Sequence, residues 1–313
     1  MVTDRIRRVT LRRPGTRRAA PGTHIDVRVP TRKGEDVRSY SVVESSADGS
    51  LVTLSVMLAA SSRGGSRSMH QLTVGDTLPC TQPLQNFELR PGADQYVLVA
   101  GGVGITAIIE MGRVLNRLGQ DYRFVYVGRR RDQMAYVQEL ADLHGDRLEL
   151  HVDDEGTGLD VDALVEGLPE RGRTEVYMCG PIRLMDAVRR SWLAHGRAVA
   201  DLRYETFGSS GWFEPESFEV EIPELGLRTV VEPDSSLLDA LAAAGADMMY
   251  DCLKGECGLC EMRIGALQGR VDHRDVFLSD EEKASDEKLC ICVSRVAAPE
   301  GAAEGSGRLS LTL

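Results

Sequence analysis

The sequence predicts a multi-domain chain: an antiparallel β-barrel, then an α/β domain with a parallel sheet, then an α+β domain that carries a cysteine cluster. Three observations support this fold class. A chain of 313 residues can hold two or three domains, each with its own core. Near residue 93, short alternating strands give way to strands that alternate with helices, and five of the seven cysteines fall within 41 residues near the C-terminus. We therefore expect domains over residues 1–92, 93–207 and 218–313.

The composition argues against a membrane protein. No stretch approaches the roughly 20 consecutive apolar residues of a membrane span, and the N-terminus lacks the apolar segment of a secretory signal. We expect a cytoplasmic protein, in which clustered cysteines indicate a metal rather than disulfide bonds. The seven arginines among residues 1–18 are interrupted by Ile6, Val9 and Leu11, which predicts a solvated edge strand rather than a nucleic-acid or membrane arm.

The negative charge is concentrated in one region. The net charge of the chain is -11, yet residues 214–313 hold 21 acidic against 9 basic side chains, and residues 1–213 are almost neutral. An acidic domain of this kind would steer a basic protein partner and repel nucleic acid. We therefore expect a protein partner and no nucleic acid.

The first domain consists of short strands separated by turns. The segments that read as strands are THIDVRVP, RSYSVV, LVTLSVML and TLPCTQPL. Such a series is typical of a small antiparallel barrel.

The second domain begins with the apolar strand QYVLVA over residues 95–100, which leads into GGVGIT and a helical pattern. Further strands are predicted at RFVYVGR, at residues 148–152 and at EVYMCG. Helices are predicted near residues 134–143, near 161–167 and over RLMDAVRRSWLAHG. Alternation of this sort gives a parallel sheet flanked by helices.

The third domain follows a segment rich in Gly, Ser and Pro, GSSGWFEPES, over residues 208–217, which we expect to be a linker. Beyond it, FEVEIPELGLRTVVEP predicts a hairpin and SLLDALAAAGA a helix. The cysteine loop comes next.

The cysteine loop DCLKGECGLC places Cys252, Cys257 and Cys260 at the C-x4-C-x2-C spacing of plant-type [2Fe-2S] ferredoxins. Gly255 and Gly258 permit positive φ and let backbone amides approach the sulfurs. A structural zinc site usually has two C-x-x-C pairs, whereas this loop has one. Two further cysteines could supply the fourth ligand: Cys290 lies 29 residues after Cys260, as in plant ferredoxins, and Cys292 lies two residues further on.

A flavin site is predicted by two segments of the first domain. Arg38, Ser39, Tyr40 and Ser41 form R-x-Y-S, which resembles the flavin signature of the ferredoxin-reductase superfamily. Downstream, the segment SSRGGSRSMH supplies cationic, amide and hydroxyl donors suited to a phosphate, from Arg63, Gly64, Gly65, Ser66 and Ser68. Taken alone, a Gly and Ser-rich segment would more often be an ordinary turn.

A pyridine nucleotide site is predicted in the second domain. Gly101, Gly102 and Gly104 precede Thr106 in a strand-to-helix turn, where amides and the helix dipole can hold a pyrophosphate. This turn resembles the G-G-x-G-x-T segment of ferredoxin reductases. A later strand ends in Cys179, Gly180 and Pro181, which resemble the C-G-P motif of the same enzymes; without the other motifs, Cys179 could equally be a buried core thiol.

The choice between NADH and NADPH depends on the loop GRRRDQMAY. Asp132 could accept hydrogen bonds from ribose hydroxyls, whereas Arg129 and the two arginines after it could bind a 2′-phosphate. The residues themselves leave both nucleotides open.

Taken together, these motifs and their order resemble the phthalate dioxygenase reductase family over nearly the whole chain. The segments ICVSR, VDHRDVFLSDEEK and RLSLTL are similar to its C-terminal ferredoxin domain, which has a β-grasp fold. The resemblance implies FMN rather than FAD, NADH as donor, and Cys292, ahead of V-S-R, as the fourth cluster ligand. It also implies that Arg38 pairs with the phosphate, that Cys179 and Thr106 lie at the nicotinamide, and that Phe207 covers the flavin ring.

The resemblance further implies a function. The chain would accept a hydride from NADH and pass electrons through FMN and the [2Fe-2S] cluster to a terminal oxygenase, most simply a Rieske non-haem iron enzyme. A reductase for a cytochrome P450 is the alternative within enzymes. A non-catalytic electron carrier or redox sensor is the alternative from another class.

Overall fold

The computed structural model describes residues 1–14, 17–31, 34–59, 64–208 and 210–313, with only the backbone of Thr31. The chain divides into two compact units, the first comprising residues 1–180 with 187–205 and the second residues 181–186 with 206–313. No described helix is both long and apolar enough to cross a membrane.

The first unit begins with an antiparallel sheet of five strands in the order β1-β4-β3-β2-β5, which corresponds to the predicted barrel domain. From Ile25 onward, alternate residues of β2 are buried, as the period of a strand with one core face requires. The arginine-rich N-terminus forms the edge strand β1, as predicted. The elements are β1 (Ile6–Arg12), β2 (Thr23–Thr31), β3 (Gly34–Ser45), β4 (Leu51–Met57), α1 (Gly65–Gln71) and β5 (Leu84–Gln85).

One predicted strand of this sheet is much shorter than expected. The segment TLPCTQPL contributes only Leu84, the first residue of the two-residue β5, and an isolated bridge between Cys80 and Val27. Pro79 and Pro83 have no N–H to donate to a neighbouring strand, so the segment cannot pair along its length.

The first unit also contains a parallel sheet in the order β10-β9-β6-β7-β8. Its central strands are almost completely buried, as expected where helices cover both faces. The elements are β6 (Gln95–Gly101), α2 (Ile105–Arg117), β7 (Tyr122–Gly128), α3 (Val137–His144), β8 (Leu148–Val152), α4 (Val161–Glu166), β9 (Thr174–Cys179), α5 (Ile182–Ala194) and β10 (Leu202–Glu205).

Polar contacts join helix α2 of the parallel-sheet region to the barrel region of the first unit. The Arg113 guanidinium donates to the carbonyl oxygen of Val43 at 2.7 Å and to Glu110 at 3.1 Å, and Arg18 pairs with Glu110 at 2.8 Å. The Glu110 side chain is 6% exposed, so its charge is compensated by both arginines rather than by water. These contacts fix the nucleotide sheet against the barrel strands.

The second unit has a mixed sheet in the order β12-β11-β17-β13-β15, in which β11 and β17 are parallel and the other pairs antiparallel. Helix α6 begins with a capping box between Ser236 and Asp239 and buries its leucines in the core. This is the expected ferredoxin domain. Its elements are β11 (Phe218–Ile222), β12 (Leu227–Val231), α6 (Leu237–Ala243), β13 (Glu261–Gln268), β14 (Arg270–Asp272), α7 (Asp280–Ser285), β15 (Lys288–Cys290), β16 (Arg295–Ala297) and β17 (Gly307–Thr312).

Within the Gly- and Ser-rich segment over residues 208–217, the described residues 210–217 contact the ferredoxin core. The Trp212 amide donates to Asp272 at 2.7 Å, and the same carboxylate pairs with the buried Arg274. A Cβ at Gly211 would lie 2.4 Å from the Arg274 guanidinium carbon, so a larger residue there would require the Arg274 side chain to shift. These residues therefore make specific hydrogen bonds to the ferredoxin domain, which a flexible linker would not make.

Candidate functional site

The cysteine loop lies between α6 and β13 and folds its backbone toward its own sulfurs. The amides of Lys254 and Glu256 each lie 3.4 Å from the Cys252 sulfur. Gly255 and Gly258 have φ of 73° and 74°, as the sequence predicts, and a Cβ at Gly255 would lie 2.9 Å from the Asp275 backbone. The loop therefore presents amide donors to sulfur, as a site for a negatively charged iron–sulfur cluster requires.

Both candidate fourth ligands are buried next to this loop. The neighbouring thiols of Cys290 and Cys292 hydrogen-bond to Cys260 and lower the pKa of its thiol to about 3. The Gly255 amide hydrogen-bonds to the Cys292 sulfur. The pKa of Cys292 is raised chiefly by the hydrogen bond between Cys292 and Cys260, and the Gly255 contact opposes that rise. Cys290 instead lies in the field of the Asp275 carboxylate. Cys292 thus receives an amide donor from the loop.

The donor set suits a two-iron cluster. All seven cysteines are free thiols, so those of the loop are available as thiolate ligands. Thiolates spread along a loop, with backbone amides directed at sulfur, match a cluster in which the ligands are shared between two irons.

A contact that sequence reasoning missed anchors the loop. The Glu256 carboxylate accepts hydrogen bonds from the Thr206 amide at 2.7 Å and from the Thr206 hydroxyl at 2.8 Å. The Thr206 hydroxyl also lies 2.7 Å from the Lys254 carbonyl oxygen. Thr206 is buried and directly precedes Phe207, which is half-buried. No local pattern signals this pair, because 50 residues separate the two positions.

The predicted flavin motif lies on β3, opposite β2. Arg38 pairs with Asp36 at 2.6 Å, and a Cβ at Gly65 would lie 2.8 Å from the Arg38 side chain, so the structure brings the two predicted flavin segments together. Burial raises the pKa of Tyr40 to about 12, against the opposing charge of Arg38, so its hydroxyl stays a neutral donor.

The serines of the flavin motif and of the second segment have different surroundings. Ser41 is buried, whereas the Ser39 hydroxyl is exposed and donates to Asp26. In the second segment, α1 begins at Gly65, directly after Gly64 with φ of 112°. The Ser66 hydroxyl accepts from the Ala59 amide at 3.2 Å, and the Ser68 hydroxyl lies within hydrogen-bond distance of the Pro30 and Gly64 carbonyl oxygens. Arg63 lies outside the described residues.

The two predicted nucleotide motifs meet at the carboxyl ends of adjacent strands. Gly101 ends β6, Gly102 has φ of 52°, and a Cβ at Gly104 would lie 2.1 Å from the Cys179 carbonyl oxygen and 2.8 Å from the Gly180 nitrogen. Only glycine permits this approach. Ligands of parallel sheets bind at this edge, where α2 also begins.

The other predicted nucleotide residues surround this turn. Thr106 lies in the first turn of α2, is buried, and donates to the Val103 carbonyl oxygen at 2.9 Å. Cys179 is 1% exposed at the end of β9, and Pro181 precedes α5. A hydrogen bond from the Tyr126 hydroxyl to the Gly102 carbonyl oxygen, at 3.3 Å, supports the turn and was not foreseen.

The loop expected to discriminate between nucleotides follows β7 and contains paired charges. Arg130 forms a bidentate pair with Asp132 at 2.8 and 3.0 Å, and Arg131 forms another with Glu155 at 2.6 and 2.7 Å. The hydrogen bond from Arg130 lowers the pKa of Asp132, which keeps that carboxylate ionised. Arg129 is exposed, and its carbonyl oxygen accepts from the Asp154 amide. Two of the three arginines are thus already held by carboxylates.

Known proteins resemble the chain in both units. The family model for 2Fe-2S iron-sulfur cluster binding domains matches residues 221–297, and the model for oxidoreductase NAD-binding domains matches residues 98–190. A toluene-4-sulfonate monooxygenase system reductase subunit from Comamonas testosteroni is 35% identical over 302 residues, which cover 94% of this chain and 89% of the relative.

Two solved structures share the arrangement of elements. Phthalate dioxygenase reductase, described as a modular structure for electron transfer from pyridine nucleotides to [2Fe-2S], matches with a TM-score of 0.69 and 27% identity, covering 100% of this chain and 95% of that one. An intact type IV self-sufficient cytochrome P450 monooxygenase matches with a TM-score of 0.63 and 35% identity. That match covers 100% of this chain but only 40% of the P450 chain.

The full-length matches and the two matched domains confirm the resemblance inferred from the motifs. The cofactor set is therefore FMN, NADH and a [2Fe-2S] cluster. The chain belongs to the phthalate dioxygenase reductase family of oxidoreductases.

Proposed function

We propose that this chain is the reductase component of an oxygenase system and delivers electrons from NADH to a separate terminal oxygenase. The observation that carries the proposal is that one chain holds both a glycine turn packed on Cys179 and a loop of closely spaced thiols. When bound, FMN accepts two electrons as hydride and the [2Fe-2S] cluster carries them onward one at a time. The protein supplies binding, orientation and electrostatics.

In this proposal the flavin is held by the motif on β3 and the segment at α1. Arg38 would pair with the phosphate, and Gly64 and Gly65 would give the phosphate close access to backbone amides. Tyr40 would pack on or hydrogen-bond the flavin through its neutral hydroxyl, and Ser41 would reach its ring edge. The remaining flavin assignments are Ser39, Arg63, Ser66 and Ser68.

The nucleotide would lie over the glycine turn. The amides at Gly101, Gly102 and Gly104 would hold the pyrophosphate at the start of α2, where the helix dipole favours negative charge. Thr106 and Cys179 would line the nicotinamide, and Phe207 would cover the flavin ring until the nicotinamide displaces it. Asp132 would accept hydrogen bonds from the adenosine ribose, with Arg129, Gly180 and Pro181 completing the assigned set.

Cys252, Cys257, Cys260 and Cys292 would hold the cluster. Support for Cys292 comes from the amide of Gly255, which lies at its sulfur. We also propose the domain limits 1–92, 93–207 and 218–313, joined by residues 208–217, and a cytoplasmic location. Each sheet of the described residues falls within one of those three ranges.

The partner would be a Rieske non-haem iron oxygenase that hydroxylates or demethylates a small aromatic compound. A cytochrome P450 is the second candidate, because the matched P450 structure contains a region similar to this whole chain. In either case the oxygenase substrate would not touch this chain.

The test is a visible spectrum of anaerobically purified protein, with cofactor extraction and titration by NADH and NADPH. We expect extracted FMN, bleaching of the flavin band by NADH at lower concentration than by NADPH, and reduction of added ferricyanide. Protein that carries a cluster but no flavin would contradict the proposal and favour an electron carrier. Reconstitution with a Rieske oxygenase or a P450 then separates the two partners.

A further inference from the structure

The first residues of helix α5 belong to the second unit, although most of the helix does not. Residues 181–186 group with the ferredoxin core, whereas residues 187–194 group with the first unit. In the sequence, Pro181 directly follows Cys179 and Gly180 of the nucleotide motif. The contacts that hold the start of α5 therefore begin next to the proposed nucleotide site.

Two contacts attach the start of α5 to the segment over residues 210–217. The Ile182 amide donates to the Ser210 hydroxyl at 2.9 Å. The Arg183 guanidinium donates to the Trp212 carbonyl oxygen and lies over the Trp212 ring, 5.2 Å from its centroid. The turn that follows the nucleotide motif is thus held by residues of the second unit.

A buried ion pair holds the next turn of the helix. The Lys283 ammonium, on α7, lies 3.1 Å from the Asp186 carboxylate, and the two side chains are 11% and 6% exposed. The same ammonium donates to the Asp275 carbonyl oxygen at 2.6 Å. Because the ammonium is largely shielded from water, it depends on these two acceptors. One side chain thus joins α5 to the backbone at Asp275.

The backbone at Asp275 lies directly against the cysteine loop. The Val276 amide donates to the Gly255 carbonyl oxygen at 3.0 Å, and a Cβ at Gly255 would lie 2.9 Å from the Asp275 Cα. The Asp275 carboxylate accepts from the Leu278 amide at 2.9 Å and from the Ser294 hydroxyl at 3.3 Å, which fixes this backbone. The contacts from α5 to the cysteine loop are therefore continuous within the second unit.

An ion pair gives this junction a fixed direction rather than extra stability. Removing two charges from water costs about as much as their attraction returns, so apolar side chains of similar size would often stabilise a fold equally well. The ammonium, however, directs its hydrogens to a carboxylate on one side and to a carbonyl oxygen on the other. A displacement of the Asp186 carboxylate is thereby passed to the backbone at Asp275.

We propose that Asp186 and Lys283 are positioning residues that link the nucleotide motif to the cysteine loop, so that a bound pyridine nucleotide orders the loop. The proposal rests on the proposed function, because it requires a nucleotide at the turn of Gly180 and Pro181. A nucleotide that fixes this turn restricts the start of α5, and the contacts of Lys283 then restrict the loop. The loop is thus most rigid while the nucleotide is bound.

The test is hydrogen exchange of backbone amides in the oxidised holoprotein, measured by mass spectrometry with and without saturating NAD+. In the wild type we expect NAD+ to slow exchange over residues 252–260 by about fivefold or more, a usual size for coupling between two sites. Strand β11 lies in the same unit and serves as the internal reference, so its exchange should change much less. A titration of the flavin spectrum verifies that NAD+ saturates each variant.

Three variants separate the two contacts of the ammonium. Asp186→Asn removes a charge and keeps the shape of the side chain, so the effect of NAD+ on the loop should fall to about twofold or less. Without NAD+ its loop should exchange as in the wild type, because Lys283 can still donate to Asp275. Lys283→Met loses both contacts, so its loop should exchange faster even without NAD+. Lys283→Arg keeps donors for both acceptors and should restore part of the NAD+ effect.

Lys288→Met is the matched control, because Lys288 is also a lysine of the second unit but pairs with the partly exposed Glu261 and Glu282. It should leave the NAD+ effect unchanged. A wild type that binds NAD+ without slowing exchange of the loop would overturn the proposal. The same holds if Asp186→Asn keeps the full effect or exchanges faster throughout the second unit. Wild-type protein that carries no flavin or does not bind NAD+ would instead contradict the proposed function.

Discussion

The Thr206 amide and the Glu256 carboxylate form a 2.7 Å hydrogen bond that joins the segment after β10 to the cysteine loop. The Glu256 amide in turn lies 3.4 Å from the Cys252 sulfur, so the same residue contacts the anchor and a proposed cluster ligand. Because Thr206 is buried, its amide has no water to replace the carboxylate if the side chain is removed.

Glu256→Ala is therefore expected to destabilise the second unit by about 1–3 kcal/mol, the usual cost of an unpaired buried donor. The loop should also release its cluster sooner. The measurement is the rate at which the visible cluster absorption disappears in guanidinium with a chelator present.

Glu300→Ala is the matched control, since Glu300 is an exposed acid in the same unit. It removes the same charge and should leave the rate unchanged. Equal rates in both variants would show that the Thr206–Glu256 bond does not hold the loop.

The fourth cluster ligand can be tested with two serine variants. Cys292→Ser should abolish the cluster absorption, because the sulfur that receives the Gly255 amide is lost. Cys290→Ser should keep the cluster, although both thiols contact Cys260. The measurement is iron and sulfide content per chain, together with the visible spectrum. If Cys290→Ser loses the cluster and Cys292→Ser keeps it, the fourth ligand is Cys290, as the spacing of plant ferredoxins predicts.

Local patterns in the sequence were enough to predict most of the fold. The β11–β12 hairpin, the strand at residues 148–152 and the two glycines of the cysteine loop, Gly255 and Gly258, follow from alternation, buried apolar runs and the need for positive φ. The start of α3 was misplaced: the helix was expected from about Met134 but begins at Val137, because Tyr136 has φ of 66° and its hydroxyl bonds Ser55 on another strand. Tertiary contacts decided that boundary.

The contacts that organise the candidate site were not predictable in the same way. Spacing indicated Cys252, Cys257 and Cys260 because ligands of one loop are close in sequence. The Thr206–Glu256 bond and the pairing of Arg131 with Glu155 join residues that are far apart in the chain, and single charged residues carry no signal of their partners.

The approach of Gly104 to Cys179 gives a prediction for the nucleotide site. In Gly104→Ala the new methyl would lie 2.1 Å from a backbone carbonyl oxygen, so the turn and the end of β9 must move apart. Overpacking of this kind costs about 1–3 kcal/mol. We expect a KM for NADH raised by about tenfold or more, measured with ferricyanide as acceptor.

Gly158→Ala provides the control for that experiment. Its added methyl would meet only an Asp153 oxygen at 3.8 Å, an ordinary contact, and its φ is not positive. Kinetics for NADH should be unchanged. A normal KM in Gly104→Ala would separate this turn from nucleotide binding.

The pair between Arg130 and Asp132 predicts how nucleotide choice can be changed. Asp132 orients Arg130 through two hydrogen bonds, and the carboxylate would also repel a 2′-phosphate. Asp132→Ala should lower kcat/KM for NADH by roughly threefold to tenfold, because hydrogen bonds to the ribose are lost. The same variant should raise kcat/KM for NADPH, because the freed Arg130 can pair with the 2′-phosphate. Glu155→Ala would free Arg131 but leave the Asp132 carboxylate in place to repel a 2′-phosphate, so this variant should favour NADPH less strongly. The measurement is the ratio of kcat/KM for the two nucleotides, and an unchanged ratio in Asp132→Ala would place the adenosine ribose elsewhere on the sheet edge.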